Sequence, residues 1–248
     1  NIISIIPARG GSKGLSNKNK RLFLGHPLVT HSIMYSQASN IISKTYVTSD
    51  EQEILEFSRD YGACIIERPS IISGDMATTE SAIEHALSQI NPKPDAIVLL
   101  QPTSPLRPDD SLDRAINQFL EQQNDSLLSL SASHNFFWKV SNNNAYAQYD
   151  FMKRPMRQQI NNEDIQYIEN GSLYIFKTDH FLNHKNRLGG NIGYVIFDEE
   201  YSKQIDTELD FLYLESACGR FQIPVFYLFL LIFLWFFTDS HWFSIDCP

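Results

Sequence analysis

The stretch PARGGSKGLSNKNKRL, residues 7–22, follows directly on the apolar run IISII and gathers Arg9, Lys13, Lys18, Lys20 and Arg21 among glycines and hydroxyls. Glycine N–H groups can line a concavity around an anion, because glycine adopts the backbone angles required and has no side chain to block close approach. Arg9 can fork two bonds to phosphate oxygens, and Lys13 adds a mobile point charge. Together they suit a polyphosphate. The loop is not the GxxxxGK[ST] phosphate loop, since Leu15 follows Gly14, and it contains no GxGxxG dinucleotide fingerprint. A solvated cationic turn is the alternative reading. Against it stands the loop's place straight after the first strand, where open α/β sheets bind their ligands.

The elements that would position this loop alternate along the chain. Strand-like IISII (2–6), KTYVTS (44–49), ACIIERP (63–69), DAIVLLQP (95–102), SLLSLSAS (126–133), NGSLYIFKT (170–178) and GYVIFD (193–198) are separated by helix-like segments. These are HPLVTHSIMYSQAS (26–39), EQEILEFSRDYG (51–62), TTESAIEHALSQI (78–90) and SLDRAINQFLEQQ (111–123). Short apolar strands alternating with helices predict an α/β fold with a mostly parallel sheet and helices on both faces. The loops after Ile6, Val47 and Leu100 should then converge on one site. From about 134 to 168 the pattern breaks into polar, Asn- and Gln-rich sequence, read as an irregular insertion that serves as a lid or a dimer arm.

A chain of 248 residues can bury a large core, and a formal net charge of −9 argues against a nucleic-acid binder, which needs a basic surface. A local cationic cluster on an acidic protein points instead to a confined anion site. Cys64, Cys218 and Cys247 show no disulfide or zinc spacing, and no secretory signal pattern opens the chain, so a cytoplasmic setting is expected. Residues 216–248 form an apolar C-terminal tail. Its run FQIPVFYLFLLIFLWFF (221–237) is marginal for a membrane span, which takes about 20 residues. A buried or partner-covered segment, a membrane contact and a non-native addition all stay open.

In order along the chain, PARGGSKGLSNKN, ERP, LLQPTSPLR, NGSLYIF and IDTELDF resemble the motifs of the acylneuraminate cytidylyltransferase family, the CMP-sialic acid synthetases and related CMP-nonulosonate synthetases. The resemblance runs from Ile2 to about Leu214, so residues 1–215 are expected to form one cytidylyltransferase domain of nucleotide-diphospho-sugar-transferase-like fold. It implies transfer of CMP from CTP to the anomeric hydroxyl of a sialic-acid-like sugar acid, with release of pyrophosphate, Mg²⁺ as cofactor, and a homodimer. An eight-carbon keto acid as acceptor, or a degenerate non-catalytic nucleotide binder, is the alternative.

By the same resemblance, Arg9, Ser12, Lys13, Lys18 and Asn19 surround the nucleotide, with Arg9 and Lys13 expected to offset charge on the leaving pyrophosphate. Arg68, Thr79 and Gln101 match positions near the cytidine. A carboxamide at a strand end can pair with both a donor and an acceptor on a base edge. Structural readings compete: Arg68 as ion-pair partner of Glu67 or Asp75, Thr79 as a helix cap, Gln101 as a satisfier of loop carbonyls, Asn19 as a turn or cap residue. Lys139, Arg157 and Asn170 match positions that meet the sugar acid. Where the sialic acid enzymes are expected to carry Arg two residues before that Asn, this chain has Ile168, which favours a related acid such as legionaminic or pseudaminic acid. In the late motif Gln204 stands in place of the first carboxylate, leaving Asp206 as the metal ligand, with Glu208 or Asp210 nearby. An Asp before DTELDFLYLE reads equally as an N-cap. The aromatics Phe136, Phe137 and Trp138 could line the sugar pocket, though core or dimer contact is the commoner use of such a cluster.

Overall fold

A computed structural model describes residues 1–154, 156 and 165–218. In chain order the strands and helices are β1 (Ile2–Pro7), the short pair β2 (Leu22–Phe23) and β3 (His26–Pro27), α1 (Leu28–Gln37), β4 (Ile42–Ser49), α2 (Gln52–Asp60) and β5 (Cys64–Glu67). There follow α3 (Thr79–Gln89), β6 (Ala96–Leu100), α4 (Ser111–Glu121), β7 (Ser126–Ser133) and the hairpin β8 (Trp138–Ser141) and β9 (Asn144–Ala147). The chain continues through β10 (Gln166–Lys177), α5 (Thr178–His184), β11 (Ile192–Ile196) and α6 (Glu208–Ala217).

Seven strands form the central sheet in the order β11-β7-β10-β6-β1-β4-β5. Neighbours are parallel except β10, which runs antiparallel to both β6 and β7. Because the central strands are buried on both faces, their side chains feed two separate cores. Ile6, Ala96, Val98 and Leu100 pack with α1, α2 and α4 through Val29, Ile33, Ile54, Ile116 and Phe119. Ile3, Ile5, Ile97 and Leu99 pack with α3 and α5 through Ile83, Leu87 and Phe181. This is the expected sheet covered on both sides.

A third apolar cluster joins the opening loop to the late segment: Leu15, Phe23 and Leu28 pack against Ile205, Phe211 and Leu214. The first loop and α6 are therefore held together although they lie at opposite ends of the described chain. Helix α6 starts at Thr207, whose hydroxyl accepts from the Asp210 N–H, while Asp210 accepts from the Thr207 N–H at 2.8 Å. That reciprocal cap displaces the expectation that Asp206 is the N-cap and occupies Asp210. Thr207→Ala is expected to cost about 1 kcal/mol of stability in urea unfolding.

The largest differences from the sequence reading lie in and beside the 134–168 stretch. Strand β10 begins at Gln166, ahead of 170, because Gln166–Glu169 pairs with Ser133–Leu130 of β7 while its own side chains stay exposed. The run Gln166–Glu169, exposed on both faces, has Tyr167 and Ile168 side by side and so no apolar alternation to read. Within 134–168 the hairpin β8–β9 also forms, and its aromatics build a satellite cluster on this arm. Phe136 lies 4.5 Å from Tyr149 between ring centres, Trp138 stands edge-on to Tyr149 at 5.9 Å, and Arg154 covers Phe136. Arg157 and the run 221–237 lie outside the described residues.

Candidate active site

At the carboxyl ends of β1 and β6 lies a cavity of about 440 Å³. Its wall contains Arg9, Ser12, Lys13, Lys18, Asn19, Arg68, Thr79, Gln101 and Asp206. Thus every residue expected at the nucleotide, together with the expected metal ligand, borders one cavity, drawn from five separate places in the chain.

The cations of the opening loop do not stand alone. Asp75, in the loop before α3, takes Lys13 Nζ at 2.7 Å and Arg9 Nη1 at 3.3 Å. The Lys13 bond holds the Asp75 carboxyl below its usual range, with Arg9 adding to the effect. Lys13 is 77% exposed, so its pair with Asp75 is screened by water and contributes little. Lys18 is turned elsewhere: its ammonium donates to the Ile205 carbonyl at 2.9 Å and to Asp206 Oδ1 at 3.0 Å. Asn19 is buried and donates to the Arg9 carbonyl at 2.8 Å, which fixes the loop below the Arg9 side chain. Neither acts as a helix cap.

The glycines work differently from the expected anion cradle. The Gly10 N–H is taken by Asp50 Oδ1 at 3.1 Å, and neither Gly10 nor Gly11 borders the cavity. Gly14 is required for another reason. A Cβ there would overlap the Asp206 carbonyl oxygen, so the loop can close on the 205–206 segment only without a side chain.

Arg68 is the site's most unusual group. It is 6% exposed, and its Nε and Nη2 are buried without a hydrogen-bond partner among the described residues. The nearest carboxylate is Asp50, 3.8 Å from Nη2, rather than Glu67 or Asp75. Burial lowers its affinity for the proton, and nearby Arg9 lowers it further. A buried guanidinium with unmatched donors beside a cavity is poised for an anionic or strongly accepting ligand. Thr79 is the first residue of α3 and leaves the capping to Thr78, whose side chain accepts from the Ser81 N–H.

The three residues expected at the sugar fall differently. Lys139 lies on the exposed strand β8, away from this cavity wall. Asn170 is 1% exposed and its amide is engaged within the sheet, the oxygen by Ser129 Oγ and the Ser172 N–H and the nitrogen by Ser131 Oγ. It does not border the cavity. Gln204 donates to the Asn170 carbonyl at 2.8 Å, which accounts for an amide at that position. Among the described residues no group of three or more His, Cys, Asp or Glu side chains could hold a metal ion. Asp206 is 64% exposed on the cavity wall. One accessible carboxylate fits Mg²⁺ where substrate phosphates supply most of the ligands. Glu208 is committed to Arg21, whose bond holds that carboxyl below its usual range.

The cytidylyltransferase family model matches residues 3–216. The chain belongs to that family. This cytidylyltransferase family member is 32% identical over 212 residues to an N-acylneuraminate cytidylyltransferase of Escherichia coli O18:K1:H7, covering 85% of this chain and 50% of that protein. It is 31% identical over 196 residues to a CMP-N,N'-diacetyllegionaminic acid synthase of Legionella pneumophila, covering 75% of this chain and 82% of that protein. The chain spans about half the length of several curated relatives it matches. A solved CMP:2-keto-3-deoxy-manno-octonic acid synthetase complexed with CTP superposes with a TM-score of 0.67 at 14% identity, over 88% of this chain and 98% of that one. At that identity the likeness concerns the fold.

Sequence reasoning missed two groups that the geometry brings in. Asp75 appeared only as a candidate partner for Arg68, and its link to Arg9 and Lys13 depends on how the loop before α3 folds back. Arg107 stands inside the quoted LLQPTSPLR motif but has no role there by pattern, because two of its partners, Ser32 of α1 and Ser172 of β10, are distant in the chain.

Proposed function

We propose that the chain transfers CMP from CTP to the anomeric hydroxyl of a nonulosonic acid and releases pyrophosphate. The observation that carries this reading is the meeting of Arg9, Lys13, Arg68, Thr79 and Gln101 around one cavity at the sheet's carboxyl edge. In this reading the sugar hydroxyl oxygen attacks the α-phosphorus in line. The new P–O bond forms as the bond to pyrophosphate breaks, and the hydroxyl proton passes to solvent. No covalent enzyme intermediate is needed, so catalysis is positioning and charge stabilisation.

Arg9 and Lys13 hold the triphosphate and offset the charge that builds on the leaving pyrophosphate. Arg68 supplies its unmatched N–H groups to the nucleotide, and Gln101 meets the cytosine edge. Asp206 holds Mg²⁺, which when bound would neutralise phosphate charge. Lys139 and Arg157 receive the sugar carboxylate, from an arm at 134–168 that pairs two copies of the chain into a homodimer working in the cytoplasm. Ile168 at a site expected to be Arg supports a related acid such as legionaminic or pseudaminic acid over sialic acid.

Incubation with CTP, Mg²⁺ and a panel of sugar acids tests this. Pyrophosphate release with a nine-carbon acid is expected; release only with an eight-carbon acid, or CTP binding without turnover, would overturn it. Asp206→Asn is expected to raise the Mg²⁺ concentration for half-maximal rate about tenfold, since the one carboxylate ligand is lost. A Mg²⁺ titration of pyrophosphate release measures it.

A further inference from the structure

Strand β4 lies between β1 and β5, and all three are parallel, so their carboxyl ends come out side by side. The outer two each lead to a guanidinium on the cavity wall, Arg9 just past β1 and Arg68 just past β5. The middle strand leads to Asp50. Backbone pairing runs on past the strand ends, with the Ala8 N–H donating to the Thr48 carbonyl at 3.0 Å and the Arg68 N–H to the Ser49 carbonyl at 2.7 Å. Asp50 extends that pairing with its side chain. Its Oδ1 accepts from the Gly10 N–H at 3.1 Å and stands 3.8 Å from Arg68 Nη2.

The next residue tightens the same joint. A Cβ on Gly10 would overlap the Glu51 carboxylate, which Lys20 holds in place, so the opening loop lies directly against the end of β4. Asp50 itself does not border the cavity. Its effect on a ligand must therefore pass through the groups it touches. Arg9 has Asp75 as an ion-pair partner, whereas among the described residues Asp50 carries the only carboxylate in ion-pair range of Arg68. Burial weakens the hold of Arg68 on its proton, Asp50 opposes that, and the like charge of Arg9 adds to it. A buried guanidinium deprived of its one carboxylate would meet Arg9 unshielded and be driven toward water.

We infer that Asp50 is a positioning residue for CTP binding: it pins the backbone beside Arg9 through Gly10 and keeps Arg68 at the cavity wall against the repulsion of Arg9. The inference rests on the reading that CTP occupies this cavity with Arg68 at the nucleotide. The two tasks are separable. Asparagine keeps an oxygen that can accept from the Gly10 N–H but loses the charge that faces Arg68.

Calorimetric titration of the full chain with CTP and Mg²⁺ tests it in Asp50→Asn, Asp50→Glu, Arg68→Met and the double variant Asp50→Asn/Arg68→Met. Asp50→Asn should weaken CTP about tenfold when Arg68 is present and by no more than about twofold in the Arg68→Met background, since residues that act through one another are not additive. Asp50→Glu, which restores the charge, should bind within about threefold of the parent. An unchanged affinity in Asp50→Asn, or the same loss in both backgrounds, overturns the inference. If Asp50→Asn does not fold, Asp50→Glu decides alone, and a loss beyond about threefold there overturns it. Arg68→Met separates the layers: CTP binding intact in that variant defeats the reading of Arg68 and the inference with it. Binding weakened in Arg68→Met but not in Asp50→Asn defeats the inference only.

Discussion

Lys13→Ala will lower the rate of pyrophosphate release about 10²-fold or more at saturating CTP and Mg²⁺, the loss expected when a donor aimed at developing charge is removed. The ammonium sits on the cavity wall, largely exposed, and among the described residues is tethered to Asp75 alone, at 2.7 Å. A screened surface pair of that kind is worth well under about 1 kcal/mol, so transferring the charge from Asp75 to a phosphate oxygen meets little resistance. For the same reason the fold should not notice the change: stability is expected to stay within about 0.5 kcal/mol of the parent. Steady-state kinetics and urea unfolding of the same sample separate the two effects. An unaltered rate would leave Lys13 a surface lysine and remove the main catalytic group from the proposed mechanism.

Arg68→Met is expected to move stability and binding in opposite directions. Among the described residues, the parent's buried guanidinium has no hydrogen-bond partner for Nε and Nη2, and its nearest carboxylate, on Asp50, is 3.8 Å away. Replacing such a charge with an apolar side chain of similar length removes a desolvation penalty, and a gain of about 1 kcal/mol is expected. For a chain of this size that is a rise of roughly 2–4 °C in Tm. Asp50 keeps its bond from the Gly10 N–H and remains partly exposed, so it is not stranded. CTP affinity should meanwhile fall about 10–100-fold, the value of one or two charge-assisted hydrogen bonds. Scanning calorimetry and CTP titration check the pair of outcomes. Loss of stability with CTP binding intact would make Arg68 a structural cation of the Asp50 network.

The alternation of apolar strands with amphipathic helices, the covering of both sheet faces and the place of the binding edge were all legible in local pattern. Strands such as AIVLL, and IISII apart from Ser4, are apolar because both faces are buried, and that composition is visible without knowing their neighbours. The first loop was legible in part: of its five cations Arg9, Lys13 and Lys18 border the cavity, while Lys20 is held by Glu51 and Glu53 and Arg21 by Glu208. Its glycines divide: Gly14 borders the cavity and also makes room for the Asp206 backbone, while the Gly10 N–H is already held by Asp50.

Only the tertiary structure decided who partners whom. Asn170 is absorbed by serines of β7, Lys18 by the 205–206 segment, and Arg107 by carbonyls of β6 and β10. Each of these depends on β10 running antiparallel between β6 and β7, and on a third apolar cluster that folds α6 back onto the opening loop. Hydrophobic period records whether a side chain is buried, but strand order and register come from the summed burial of the whole sheet. The hydrogen-bond partner of a buried polar group is fixed by that order, and no short window of residues contains it.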